Sequence, residues 1–233
     1  MYKGAEVKFS GPHSFSVPGK GSRITHFYSG IQTGLRSTEI SGPFDKIGVV
    51  FNELGINHFI DCSLIEILSK NDNKSFSYFA SRKTNPWTQI YQIPDYDKKI
   101  ELLDTFFLNE FRPFENQELK NIVELILSSD SKLRVKHITS TFQINSKKLL
   151  RDFNKHLCCT PKEYIDVVQF RRSLNDYMQA EGCQTLTQLA YNRDYYDQAQ
   201  FTNHFKRLSG RGPKELFRKI KKYGDEDVFW VNK

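Results

Sequence analysis

Two stretches in the second half of this 233-residue chain concentrate side chains that can read phosphates and base edges. The first carries Lys147, Lys148, Arg151, Asn154 and Lys155; the second carries Gln198, Gln200, Asn203, Lys206 and Arg207. Lys and Arg neutralise phosphate, and Arg can also take guanine O6 and N7 in a two-pronged grip. Gln and Asn offer the donor–acceptor pair that matches the edge of adenine. Lys147, Arg151, Gln198, Gln200 and Asn203 are therefore the expected base readers. Lys148, Lys155, Lys206 and Arg207 are the expected phosphate contacts. Leu150 and Ala199 share these faces but could touch only a thymine methyl. Any one of these residues taken alone is as readily an ordinary solvent-facing helix residue; the case rests on both faces together.

Both stretches need helices to present them, and the spacing supplies these. In the first, a short helix over about Arg134–Phe142 turns inward Val135, Ile138 and Phe142, and Ile144 fills a turn. Asn145 is a natural N-cap for a second helix, about Ser146–Leu157, with Leu149, Phe153 and Leu157 on its core side. The second stretch repeats the arrangement with Leu186, Leu189 and Ala190, then Tyr195 in the turn and Asp197 as N-cap. Its second helix runs about Gln198–Leu208 with Phe201, Phe205 and Leu208 inward. Two short helices with a tight turn and a basic, amide-rich outer face describe a helix-turn-helix, here present twice. Between them Pro161, in its favoured first-turn position, opens a helix to about Ala180. Roughly 20 residues span about 30 Å, near the roughly 34 Å between successive major grooves on one face of B-DNA.

Charge is concentrated in the same region. The formal net charge is +7, yet residues 1–115 carry 13 Lys+Arg against 13 Asp+Glu, while residues 132–222 carry 19 against 8. Such asymmetry hints at a polyanion-binding segment; a solvated basic surface carries the same charge, and the pattern of residues decides between them. At 38% hydrophobic and 26% charged, the chain is neither disordered nor membrane-embedded, and no apolar run approaches the roughly 18 residues that span a bilayer. The first ten residues lack the apolar stretch of a secretory signal. Four cysteines, two of them adjacent (Cys158, Cys159), make no disulfide framework, so a reducing, cytoplasmic setting is expected.

Over roughly residues 115–220 the chain resembles the AraC/XylS family of bacterial transcription regulators. The first motif reads Asn145-Ser-Lys-Lys-Leu149-Leu-Arg151-Asp-Phe153, followed by Cys158-Cys-Thr160-Pro161-Lys-Glu-Tyr164. The second and more diagnostic one reads Ala190-Tyr-Asn-Arg-Asp194-Tyr195-Tyr196-Asp197-Gln198-Ala-Gln-Phe201-Thr-Asn-His-Phe205-Lys206, then Gly210-Arg-Gly-Pro213. Two departures stand out: the glycine usual in each turn is replaced, by Cys158 in the first unit and by Asp194 in the second. The resemblance implies a cytoplasmic, nucleoid-associated DNA-binding regulator with double-stranded DNA as partner. A small-molecule effector, a homodimer and, for an activator, RNA polymerase are further implied partners. No cofactor and no catalysis are expected.

The first hundred residues read as mainly β, with short runs at Ser14–Val17, Ile24–Tyr28 and Lys46–Phe51 between Gly/Pro clusters. Ile47–Phe51 is expected to be a buried strand. Helices follow at Asp61–Ser69, Tyr96–Phe111 (Ile100, Leu103, Phe106, Phe107 and Phe111 at helical spacing) and Glu115–Leu127. From there to about Tyr223 only helices are expected. The fold class is therefore α+β: an N-terminal, mainly β domain (1–111), a helical double helix-turn-helix domain (112–222) and a tail (223–233). Residues 43–56 resemble the end of the cupin-like barrel that family members often carry for effector binding or dimerisation. His13, His26 and His58 show no metal-ligand spacing, Cys158 and Cys159 suit turn and packing roles better than redox ones, and Trp87 and Tyr91 suit a core better than a ligand pocket. A rival reading keeps the chain as a small-molecule or protein-binding module whose helical half no longer reads DNA. A third, an enzymatic cupin fused to a DNA-binding domain, needs a metal.

Overall fold

The computed structural model describes residues 1–10, 13–18, 24–35, 37–42, 45–69, 76–83, 86–180, 185–222 and 229–231. Six short strands come first: β1 (Tyr2–Lys3), β2 (Ala5–Ser10), β3 (His13–Pro18), β4 (Ile24–Thr25), β5 (Ser37–Ile40) and β6 (Asp45–Lys46). They form two three-stranded sheets, ordered β4-β1-β6 and β2-β3-β5. The second is a β2–β3 hairpin, Ala5 opposite Pro18 and Ser10 opposite His13, with β5 added parallel to β3. Helices follow: α1 (Leu64–Ser69), α2 (Trp87–Ile90), α3 (Tyr96–Glu110), α4 (Gln117–Ser128), α5 (Val135–Thr141), α6 (Ser146–Leu157), α7 (Pro161–Gln179), α8 (Leu186–Asn192), α9 (Gln198–Ser209) and α10 (Pro213–Lys219). A last pair, β7 (Ile220–Lys222) and β8 (Phe229–Val231), is antiparallel. The architecture is mixed, with strands gathered at the N-terminal end and helices dominating the rest.

The chain divides into two units. One comprises Met1–Gly30, Arg36–Asn121 and Leu150–Cys158; the other comprises Ile31–Leu35, Ile122–Leu149 and Cys159–Lys233. In the first, Ile56, Ile60, Leu64, Ile67, Phe76, Phe79, Trp87 and Phe106 make the core. Edge-to-face rings dominate it, Trp87 on Phe106 at 5.0 Å and Phe79 on Phe107 at 5.5 Å, the geometry in which positive ring edges meet negative faces. Trp87 Nε1 donates to the Phe79 carbonyl (3.2 Å) and the Tyr91 hydroxyl to that of Met1 (3.1 Å). Both aromatic residues are thus committed to the core.

In the second unit Leu174, Leu189, Ala190, Tyr195, Phe201, Phe205, Leu216, Phe217 and Ile220 form the core. Two helices there start on a capping box. Thr160 and Glu163 reciprocally cap α7, with Pro161 at its first turn, and Thr185 and Gln188 do the same for α8, satisfying amides that a helix leaves open. Arg172 of α7 donates to the carbonyls of Ile126, Leu127 and Ser129, closing the C-terminal end of α4, where a cation is favoured.

Several expectations need correction. Of the 46–51 run only Lys46 is strand, as the second residue of β6, and Val49 and Val50 are exposed. An apolar run signals burial only when neighbours exist to cover it, and here strand pairing with β1 ends after two residues. The strand at 24–28 shortens to Ile24–Thr25. On α3, Phe106 is buried but Ile100 and Phe111 are half exposed; periodicity names a stripe, not its partner. The chain after α10 is not purely helical, since β7 begins at Ile220. Residues 70–75 (a polar stretch that suits a loop), Cys183 and most of the tail lie outside the described residues.

Candidate nucleic-acid interface

The first helix-turn-helix is α5–turn–α6. Ile138, Leu149, Phe153 and Leu157 are buried, so one side of α6 is fixed inward and the other outward. Asn145 caps it, its Oδ1 accepting from Lys148 N at 2.7 Å. The outward side carries Lys147, Leu150, Arg151 and Lys155, all exposed, with Lys148 and Asn154 partly covered. Arg151 is 71% exposed at its side chain, with only a 3.6 Å ion pair to its neighbour Asp152. Lys147, Arg151 and Lys155, four apart, form a row of donors along one face.

The last turns of α6 group with the N-terminal unit. There the Asn57 side chain donates to the His156 carbonyl (3.1 Å) while its Oδ1 accepts from His156 Nδ1 (3.1 Å), and Phe114 sits edge-on to the imidazole at 4.8 Å. Burial lowers the His156 pKa, keeping the ring neutral for this pairing. Sequence reasoning missed both residues, because a contact across 99 positions leaves no trace in local spacing.

The second unit is α8–turn–α9. Phe201, Phe205 and Leu208 are buried, and Asp197 caps α9 by accepting from Gln200 N (2.7 Å). Gln198, Ala199, Gln200, Asn203, Lys206 and Arg207 are exposed, as the spacing predicts. Their freedom differs. Gln200 Oε1 accepts from the Tyr196 amide (2.9 Å) and Gln198 Oε1 from the Thr187 hydroxyl (3.3 Å). Arg207 Nη2 pairs with Asp166 Oδ2 of α7 at 2.7 Å. Among the described residues, Asn203 and Lys206 make no hydrogen bond or ion pair.

Behind α9 lies a polar cluster that the sequence did not announce. Asp166, only 8% exposed, receives Arg207 on one oxygen and Lys132 (3.8 Å) on the other. The Tyr195 hydroxyl meets His204 Nδ1 at 2.6 Å. Burial pushes the Tyr195 phenol upward and the His204 imidazole down to about 4. Both are neutral at pH 7.

The first turn also differs from expectation, while the second does not. Cys158 does adopt a left-handed conformation (φ 55°), but it lies at the exit of α6; the left-handed residue inside the first turn is Gln143 (φ 53°). In the second unit the turn residue is Asp194 (φ 54°) and the exit is Gly210 (φ 70°). Cys158 and Gly210 each stand thirteen residues after their helix caps, so exit aligns with exit. A Cβ on Gly210 would come within 2.7 Å of Leu35 Cδ2, a second reason for glycine there. Asp194 offsets its unfavourable φ by accepting from the Lys132 amide (3.0 Å) through Oδ2. The same turn is held by Gln169, whose amide donates to the Arg193 carbonyl (2.6 Å), and by the Arg193–Asp176 ion pair.

Other candidate sites take structural roles. His58 stacks on Phe111 (5.3 Å) and accepts from Phe114 N, and His26 lies edge-on to Trp87. Among the described residues no group of three His, Cys, Asp or Glu side chains is placed to hold a metal ion. Burial raises the Cys158 thiol to about 11, leaving it protonated and a poor nucleophile. No described helix is long and apolar enough to cross a membrane.

Comparison with known proteins places a helix-turn-helix domain family over residues 138–219, which spans α6 to α10 and the end of α5. No curated protein sequence matches the chain. Among solved structures it is similar to the crystal structure of ToxT from Vibrio cholerae O395, at 15% identity and a TM-score of 0.39, over 62% of this chain. The chain spans 58% of the length of that one.

Proposed function

We propose that this chain, which carries an AraC-type helix-turn-helix domain over residues 138–219, is a sequence-specific transcription regulator that inserts α6 and α9 into successive major grooves of DNA. The observation that carries the reading is the pairing of two capped helices, each with a fully buried side and an outward row of cations and amides. On this reading residues 112–222 bind the operator, and residues 1–111 sense an effector or dimerise. The spacer α7, 19 residues long, measures about 28 Å, which suits the groove repeat. Lys147, Arg151 and the amides of α9 read bases, while Lys148, Lys155 and Lys206 hold phosphates.

The test is selection of bound sequences from a random duplex pool at two salt concentrations. A bipartite motif with halves about one helical turn apart supports the regulator. Retention that disappears with salt and enriches nothing means that the basic face is only electrostatic, and the rival binding-module reading takes over.

A further inference from the structure

The two outward faces differ in hydrogen-bonding chemistry, and the difference is set by which side chains the fold leaves unengaged. On α6 the row Lys147, Arg151, Lys155 contains donors only. Its amide, Asn154, lies in the last turns, beyond the N-terminal residues that reach base edges when a recognition helix docks. On α9 both glutamine side chains are held in place by a bond within the protein, Gln198 Oε1 accepting from the Thr187 hydroxyl and Gln200 Oε1 from the Tyr196 amide. Each oxygen keeps a second lone pair, but turning the amide onto a base costs the bond that holds it. Reading adenine needs an acceptor for N6–H and a donor for N7 on one amide. That leaves Asn203, six residues after its cap, where Arg151 stands six after Asn145. Ala199, one turn before Asn203, offers a methyl group, and Tyr196, three positions before it, is 91% exposed. Arg207, the remaining fork-shaped donor on α9, is turned onto Asp166.

We infer that the two half-sites are chemically unequal: Arg151 of α6 selects a guanine, whereas Asn203 of α9 selects an adenine, flanked by thymine methyl groups against Ala199 and Tyr196. This rests on the reading of the chain as a DNA-binding regulator. Asn203 is thereby the specificity-determining residue of the second half, in place of the two glutamines.

The full-length chain, Arg151→Ala and Asn203→Ala are each put through selection from a random duplex pool, with thermal melting of each variant to check folding. The expected motif has a guanine in one half and an adenine in the other. Arg151→Ala loses the guanine preference alone and Asn203→Ala the adenine preference alone, each by about 5- to 150-fold, the range for one good two-pronged contact. A second arm leaves the protein unaltered. Placing 7-deazaguanine in the first half, or 7-deazaadenine or deoxyuridine for thymidine in the second, should each weaken binding, because each removes one contacted atom or methyl. A bipartite motif in which Gln198→Ala or Gln200→Ala relaxes the adenine and Asn203→Ala does not would overturn the assignment while leaving the regulator standing. So would indifference to all three base analogues. Enrichment of no motif at all would sink the regulator, and the half-site assignment with it.

Discussion

Residues with the same charge on one helix face have different tasks here, and the structure separates them by their partners. Lys206 is exposed and unengaged, whereas its neighbour Arg207 is held by a carboxylate that is itself buried. Lys206→Ala should therefore weaken binding to all sequences and reduce the salt slope by about one unit, as read from binding isotherms at several ionic strengths. Arg207→Ala should leave that slope unchanged and lower the melting temperature, since Asp166 loses its closest cation; truncating one partner of a buried pair costs about 3–5 kcal/mol, discounted here because the Arg207 side chain is 47% exposed. A salt slope that drops in Arg207→Ala would return Arg207 to the phosphate contacts. Arg151→Ala should cost about 1–3 kcal/mol on the selected site and far less on random DNA; equal losses on both would reduce Arg151 to a positioning contact.

At the scale of the element, the second helix-turn-helix is set by its turn and by the neutral pair beneath α9. Asp194→Ala removes the bond to the Lys132 amide and keeps the φ penalty, so it should destabilise by about 1–3 kcal/mol. Asp194→Gly relieves the φ penalty and should cost less; denaturant midpoints compare the two, and equal costs would show that the side-chain bond alone matters. His204 contributes a pH dependence. Its folded pKa of about 4 lies below the ordinary 6.5, so the unfolded chain takes up a proton that the folded one refuses. This contribution is intact above about pH 6.5 and is lost as the pH falls from there toward 4, by up to about 3 kcal/mol. Asp166 opposes the shift, while Arg207 and Lys132 reinforce it. Unfolding free energies at pH 7 and pH 5 should differ less in His204→Gln than in the parent; an unchanged difference would place the acid sensitivity elsewhere, with His26, also lowered to about 4, the next to vary.

For the whole molecule, the 34 Lys and Arg residues overstate the electrostatic footprint on DNA, because part of that basic charge is internally paired. Three phosphate contacts, Lys148, Lys155 and Lys206, imply a slope of log binding constant against log salt of about −3. A much steeper slope in full-chain titrations would mean that cations outside α6 and α9 also meet the backbone. The N-terminal unit owes its order to an aromatic core into which Trp87 and Tyr91 are tied.

Local sequence is enough to specify the two helix-turn-helix units, their caps at Asn145 and Asp197 and the inward rows Leu149-Phe153-Leu157 and Phe201-Phe205-Leu208. These are interactions within one or two turns, and a period of 3.6 with a capping side chain encodes them locally. It also located the basic face. Tertiary structure alone decided which members of that face are at liberty. Arg207 meets Asp166 across 41 positions, and Asp194 meets Lys132 across 62. The apolar run at 47–51 failed as a strand for the same reason, since hydrophobicity states a demand for cover and only the fold supplies it. The left-handed residue of the first turn is likewise set by where the chain must reverse, at Gln143, and not at Cys158 as the resemblance implies, whereas in the second turn it is Asp194, as the resemblance implies.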